Sequence, residues 1–471
     1  MQRISIFSQL QATIPAKQIS EINLQMNSKL QSRIAVIGAG PSGITAAKNL
    51  LQVGFRNVVI FEKNTVIGGN WVYSEAQGHS SVFETTHIIS SKSLSEYEDF
   101  PMPEHYPDYP SHTQLREYFQ AYADEFGVTE LIKFGVTVEK AELTEAGKWK
   151  IKTNELIGEY IFDQLLVCNG HHWNPRYPEY PGEFAGDFIH SHEFKNNRGF
   201  ENQRVLVIGG GNSACDIAVE TSRVAAFTGI SMRRGYYFIP KFILGKPSDT
   251  LGQGLDFLPR KLRAKFTKLL LKIAVGDMTE YGLQKPKHDV FEAHPVINSE
   301  LLYFIRHGKI HPRVDIERME GKNVFFKDGK VEEYDTIIAA TGYKITFPFF
   351  NREFIDYTDG PVPLFKHVFH PELNQLFFIG LVQPLGCIWP LSDLQSKLVA
   401  NYLAGNYTLP VNLKQQIEQM IQRTKSLFMD TPRHTVEVFY HDYRKELLAE
   451  IPKNAPAWKK TASGLQEQVK A

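Results

Sequence analysis

A four-residue apolar run, Ile34-Ala35-Val36-Ile37, leads straight into Gly38-Ala39-Gly40-Pro41-Ser42-Gly43. The run reads as a buried parallel strand, and residues 44–51 as the helix behind it, stopped by Gly54. The three spaced glycines have separate tasks. Gly38 makes the tight turn, Gly40 lets a pyrophosphate approach the backbone, and Gly43 lets helix and strand pack closely. The helix N-terminus, opened by Pro41 and Ser42, then offers phosphates free N–H groups and a positive dipole end. A second strand over residues 57–61 ends in Glu62-Lys63. A carboxylate at that spacing accepts two hydroxyl hydrogen bonds from a ribose. A Gly-rich turn without any ligand is the bland alternative, and the flanking strands, helix and acid argue together against it.

The pattern recurs. Val205-Leu206-Val207-Ile208 runs into Gly209-Gly210-Gly211-Asn212-Ser213-Ala214, then a helix to about residue 225 and a strand near residues 230–232. Ala in place of the third glycine still permits close packing. Gly209, Gly211, Asn212 and Ser213 are the expected contacts. This second strand ends in Arg233-Arg234 rather than an acid. Guanidinium groups bind a 2′-phosphate through charge-assisted hydrogen bonds, where a carboxylate would repel it. A solvated basic turn is the competing explanation. Acid at the first turn and arginines at the second assign FAD to the first site and NADPH to the second. The fold class is therefore α/β, with two Rossmann-like dinucleotide-binding domains.

Composition sets the outer limits. A chain of 471 residues accommodates two or three domains. Equal numbers of acidic and basic residues, 52 each, give no electrostatic case for nucleic acid as a partner. Cys168, Cys215 and Cys387 form no CxxC pair, which excludes that redox dithiol and fits a reducing, cytoplasmic compartment. No metal site is legible. No apolar run reaches the ~18 residues of a membrane span. Residues 1–32 read as a loose extension before the fold, starting from a mis-assigned first codon with Met26 as the alternative, or as a targeting segment.

Between the two turns lies Phe184-Ala185-Gly186-Asp187-Phe188-Ile189-His190-Ser191-His192-Glu193-Phe194. It resembles the F-x-G-x-x-x-H-x-x-x-F/Y fingerprint of the flavin-containing monooxygenases. Related Baeyer–Villiger enzymes carry Trp at the last position, so Phe194 favours the former branch. Gly68-Gly69-Asn70-Trp71, Cys168-Asn169-Gly170-His171-His172, Ala340-Thr341-Gly342-Tyr343 and Gln383-Pro384-Leu385-Gly386, leading to Gln395, match in the same order over roughly residues 33–405. The resemblance implies that Gly69, Asn70, Trp71, Ala340, Thr341, Gly342 and Gln395 serve the cofactors. It places His190 beside the nicotinamide site, where we assign it to domain coupling rather than proton transfer.

The resemblance also implies a nested organisation. An FAD-binding domain in two parts, residues 33–171 and 336–445, encloses an NADPH-binding domain over residues 172–335 with a helical insert near 247–290; residues 446–471 form a C-terminal tail. In the insert, Leu262, Phe266, Leu269, Leu270 and Ile273 recur at helical spacing. A packed helix with a solvated basic face is preferred to a lid or interfacial helix. The implied activity is oxygenation of a soft nucleophile, amine nitrogen or sulfide sulfur, through a C4a-hydroperoxyflavin formed with molecular oxygen. A homodimer is compatible with the sequence.

One departure bears on that activity. The family commonly places an asparagine at the oxygen site just before a Ser-Ser-Lys segment. Aligned on Ser90-Ser91-Lys92, the position holds Ile89, and no asparagine occurs between Asn70 and Asn154. His87 is the expected substitute donor. Loss of the asparagine makes an NADPH oxidase or flavin reductase that releases hydrogen peroxide the first alternative; a Baeyer–Villiger enzyme acting on ketones, weakened by Phe194, is a second.

Overall fold

A computed structural model describes residues 29–455, apart from 77–79, 157, 252–258, 294, 430, 432–433 and 454. Most of the N-terminal extension and most of the C-terminal tail therefore lie outside the described residues. The apolar run forms β1 (Ile34–Ile37), followed by α1 (Pro41–Val53) and β2 (Val58–Glu62). Gly54 ends α1 in the left-handed conformation, with its N–H returned to the carbonyls of Leu50 and Leu51. After α2 (His112–Glu125), whose first turn is closed by a reciprocal Ser111–Gln114 cap, come β3 (Ile132–Phe134) and β4 (Gln164–Val167).

The chain then crosses to a second sheet. It builds β5 (Asp187–His190), β6 (Arg204–Ile208), α3 (Asn212–Ser222), β7 (Phe227–Ser231), α4 (Arg260–Val275), β8 (Ile310–Arg313) and β9 (Thr336–Ala339). It returns to supply β10 (Leu376–Phe378), α5 (Trp389–Ala404), α6 (Leu413–Leu427) and α7 (Tyr440–Glu450).

Both sheets are five-stranded and wholly parallel. Their orders are β10-β4-β1-β2-β3 and β8-β7-β6-β9-β5. In each, the strand that precedes a glycine turn is central. Alternation along that strand divides its side chains between two cores, as burial on both faces requires. Ile34 and Val36 join the core under α1, α2 and α5, whereas Ala35 and Ile37 join the opposite one. Val205 and Val207 face α3, and Leu206 and Ile208 face Phe326 and Tyr334.

Three sequence expectations are corrected. Strand β9 pairs with β6 and β5, so the return to the first sheet begins after Ala340, not at residue 336. Helix α7 runs through residue 445, so no tail begins there. The apolar stripe of α4 is not packed away: Leu262, Phe266, Leu269 and Ile273 are 51%, 49%, 58% and 75% exposed, and the buried face is carried by Ala264 and Leu271. Periodicity established an amphipathic helix but not which side the rest of the chain covers. Among the described residues, no helix is long and apolar enough to cross a membrane.

Candidate active site

The first glycine turn is held open by sterics. Gly38 has φ +101°, and a Cβ there would stand 2.7 Å from the Cys168 carbonyl oxygen. A Cβ on Gly43 would lie 1.8 Å from the Gly38 carbonyl oxygen, so β1 and α1 approach as closely as they do only because Gly43 has none. Gly40 caps α1, and its hydrogen position opens toward a cavity of about 380 Å³, with Gly69 the nearest protein neighbour at 3.5 Å from the would-be Cβ.

That cavity unites most of the residues expected at the first site: Gly38, Gly40, Pro41 and Ser42, then Glu62 and Lys63, and Gly69, Asn70 and Trp71, with Gly69 packed against Gly40. Glu62 is 4% exposed. Its carboxylate accepts the Ala39 N–H at 2.6 Å and the Asn64 N–H at 2.8 Å. Burial pushes its pKa up, while those two backbone donors pull it down. Each carboxylate oxygen keeps a lone pair for a ribose hydroxyl.

A second helix reaches the same space. Ile388 and Trp389 at the start of α5 line the cavity, and Ser392 on its first turn hydrogen-bonds Ser42 on the first turn of α1 at 3.0 Å. Two positive dipole ends therefore converge, which suits a pyrophosphate and negative charge on a reduced flavin ring. These features fit FAD.

Sequence reasoning missed part of this wall. Cys168, Asn169, His171 and His172 line the cavity; they appear within a matched motif but were not singled out as contacts. Gly380 also lines it, and a Cβ there would stand 2.2 Å from the Ser42 hydroxyl. Only a lone glycine marks that position in the sequence. Gln395, by contrast, does not line the cavity. It is fully buried, accepts the Gly380 N–H at 2.8 Å and donates to the Tyr443 hydroxyl at 2.8 Å, so it positions the Gly380 turn rather than the cofactor.

The second turn repeats the first. Gly209 has φ +135°, and a Cβ there would meet the Ala340 carbonyl oxygen at 2.4 Å. Gly211 caps α3; Asn212 accepts the Ile297 N–H at 2.7 Å, and Ser213 is exposed. The two arginines beyond β7 differ. Arg233 is exposed, whereas Arg234 packs over the Tyr236 ring at 5.3 Å and contacts the Met429 sulfur. Arg233 therefore has the freer guanidinium for a 2′-phosphate. Replacing both with Ala should weaken NADPH binding about ten- to a hundredfold and leave NADH nearly unchanged, with Arg233 carrying the larger share. Coenzyme KM values for the single and double variants check this.

Between the sheets, the outgoing and returning chain segments clasp each other. Arg176 N–H donates to the Gly342 carbonyl at 2.9 Å, Lys344 N–H to Asn174 at 2.8 Å, and the Thr341 hydroxyl to the Arg176 carbonyl at 2.5 Å. Thr341 and Gly342 belong to this clasp, while Ala340 closes the second turn. His190 lies beside it, fully buried against Tyr177 and Tyr343. Its Nδ1 accepts the His192 N–H at 3.1 Å. Burial and then His192 push its pKa down to about 4, against an upward pull from the Gly342 backbone. The enclosed imidazole stands at the end of β5 and packs against the Tyr343 ring of the returning segment.

The oxygen-site expectations divide. Ile89 lines a second, largely apolar cavity of about 260 Å³, together with Leu385 and Gly386. Gly386 and Ile388 are two residues apart, so one short segment separates this cavity from the flavin cavity. His87 is exposed, with its Nδ1 on the Thr85 carbonyl at 2.9 Å, and lines neither cavity. It is not the substitute donor. Ile88 between the two is buried in the core, and that fixes His87 outward.

Residues 31–458 match the family model described as flavin-binding monooxygenase-like. The chain belongs to that family. This monooxygenase is 34% identical over 449 residues to flavin-containing monooxygenase 5 of Rattus norvegicus, covering 88% of this chain and 82% of that one. It is 33% identical to human flavin-containing monooxygenase 2, covering 90% and 83%. Its fold superimposes on S-allyl-L-cysteine S-oxygenase from Allium sativum with a TM-score of 0.68 at 25% identity, covering 89% of this chain and 88% of that one. The monooxygenase uses FAD and NADPH.

Proposed function

We propose that the chain oxygenates the nitrogen or sulfur of a small soft nucleophile entering the apolar cavity beside Ile89. One oxygen atom of O2 goes to the substrate and the other to water, with NADPH and a proton consumed. FAD, reduced by NADPH, supplies the activation of dioxygen. The chain's own residues bind and orient: Glu62 holds a ribose, the α1 and α5 N-termini face negative charge, and the apolar wall excludes water. The observation that carries this reading is the adjacency of the two cavities across residues 386–388. Free, buried cysteines support a reducing, cytoplasmic setting, and a homodimer is compatible with it.

Release of hydrogen peroxide is the second reading, favoured by one observation: Ile89 offers no hydrogen bond where the family supplies an amide. Oxygenated product, peroxide and NADPH are to be measured together with a sulfide, an amine and a ketone. Oxygenated sulfide or amine at a substantial fraction of NADPH consumed supports the first reading; peroxide alone supports the second. A missing hydrogen bond to a charged group is worth roughly 1.5–3 kcal/mol, about tenfold or more in partitioning. Ile89→Asn should therefore lower peroxide release severalfold, while His87→Ala, outside both cavities, should leave it unchanged.

A further inference from the structure

The apolar cavity beside Ile89 contains one carboxylate that its protein surroundings do not satisfy. Asp249 reaches it from the segment before α4. Its Oδ2 accepts the Ser91 N–H at 2.6 Å, whereas Oδ1 is buried and accepts no hydrogen bond. Burying half of a carboxylate without a partner is costly unless a ligand completes it. The other walls here, among them Leu94, Ile243, Leu270 and Phe291, are apolar. Arg263 also lines the cavity, from α4, and has a partner of its own. With Asp442 the cavity is lined by two carboxylates against the one Arg263 guanidinium, a balance that favours a cation over an anion. Burial shifts the Asp249 pKa upward, opposed mainly by the Ser91 N–H and hydroxyl.

We propose that Asp249 is a specificity residue that anchors an ammonium group of the substrate while a separate sulfur or amine nitrogen is oxygenated. This rests on the monooxygenase reading above. The two atoms must differ, because a nitrogen held as ammonium has no lone pair to attack oxygen. Spacing supports the division. Ser91, which holds the carboxylate, is two residues from Ile89, so their Cα atoms lie no more than about 7 Å apart. The anchor and the oxygen-site wall are thus within reach of one short-chain molecule. The preferred substrate class is an aminoalkyl thioether or a diamine of short chain length.

Two matched pairs of probes test this. Binding without turnover is measured by calorimetry on the FAD-loaded protein with hexylammonium and with 1-hexanol. Turnover is measured with 3-(methylthio)propylamine and with butyl methyl sulfide, which have the same shape and differ in charge. Wild type should bind hexylammonium more tightly than hexanol. Asp249→Asn, which still accepts the Ser91 N–H, should weaken hexylammonium and raise the KM of the aminothioether about ten- to a hundredfold. The hexanol affinity and the KM of the neutral sulfide should not move. Equal affinity of wild type for the two hexyl probes, or an Asn variant that shifts both members of a pair alike, would overturn the anchor. Sulfoxide formation from the neutral sulfide reports the monooxygenase reading on its own. If wild type forms sulfoxide and the charged probes show no dependence on Asp249, the anchor is wrong and the enzyme reading stands.

Discussion

Replacing Asp393 with Ala should lower the stability of the flavin-binding unit by about 3–5 kcal/mol, the usual cost of breaking a buried ion pair. Asp393 lies on α5, and its Oδ1 accepts from three groups of α1: Thr45 at 2.7 Å, Lys48 at 2.8 Å and Asn49 at 2.8 Å. Its Oδ2 pairs with Lys397 at 2.7 Å. Lys48 is fully buried and also reaches Asp99 at 2.6 Å. Burial would raise the Asp393 pKa, but Lys48 and Lys397 outweigh it and hold the carboxyl well below the usual carboxylate range. A depressed native pKa contributes stability above the unfolded value near 4, and that contribution is lost as pH falls below it. Thermal midpoints between pH 7 and pH 3 should therefore drop more steeply for wild type than for Asp393→Asn, whose midpoint starts lower. Equal slopes would remove Asp393 from the account.

The second large effect separates two glycines that look alike in the motif. Gly43→Ala drives a methyl group into the Gly38 carbonyl oxygen at 1.8 Å and its carbon at 2.9 Å, backbone atoms that have no rotamer to yield. The variant should be poorly folded and purify without flavin. Gly40→Val should fold, because its nearest protein neighbour leaves ordinary contact distance, yet lose flavin because the branched carbons occupy the cavity. Circular dichroism melting and visible flavin absorbance distinguish the outcomes. A yellow Gly40→Val protein would place the pyrophosphate elsewhere.

Glycine constraints of this kind are local, which is why the two strand–turn–helix units were legible from sequence. Each strand, turn and helix start lies within about ten positions, and the Gly43 approach to Gly38 is written in the absence of a side chain, although Gly38 and Gly209 are also pressed by the distant Cys168 and Ala340 carbonyls. What failed to show depends on distant partners. Gln395 looked like a cofactor contact until its amide was found spanning Gly380 and Tyr443. The apolar run at residues 336–339 could have served either sheet, since strands buried on both faces read the same. His87 lay at the right sequence distance from Ser90, but side-chain direction, not distance, decides which wall a residue joins. The carboxylate of Asp249 gave no signal, because its partner segment lies 158 residues away.

The nested path of the chain also dictates an order of assembly during synthesis. The first sheet begins with β1 near the N-terminus, yet its strand β10 and its covering helix α5 are made only after the whole inserted unit. Until α5 leaves the ribosome, the Lys48 ammonium faces solvent or Asp99 alone, and the face of α1 that meets α5 has no cover. The inserted sheet has no such wait, since β5 through β9 are contiguous in the chain. The second sheet therefore has all its strands before the first does, and the Trp389 and Ser392 side of the first cavity is supplied after both glycine turns.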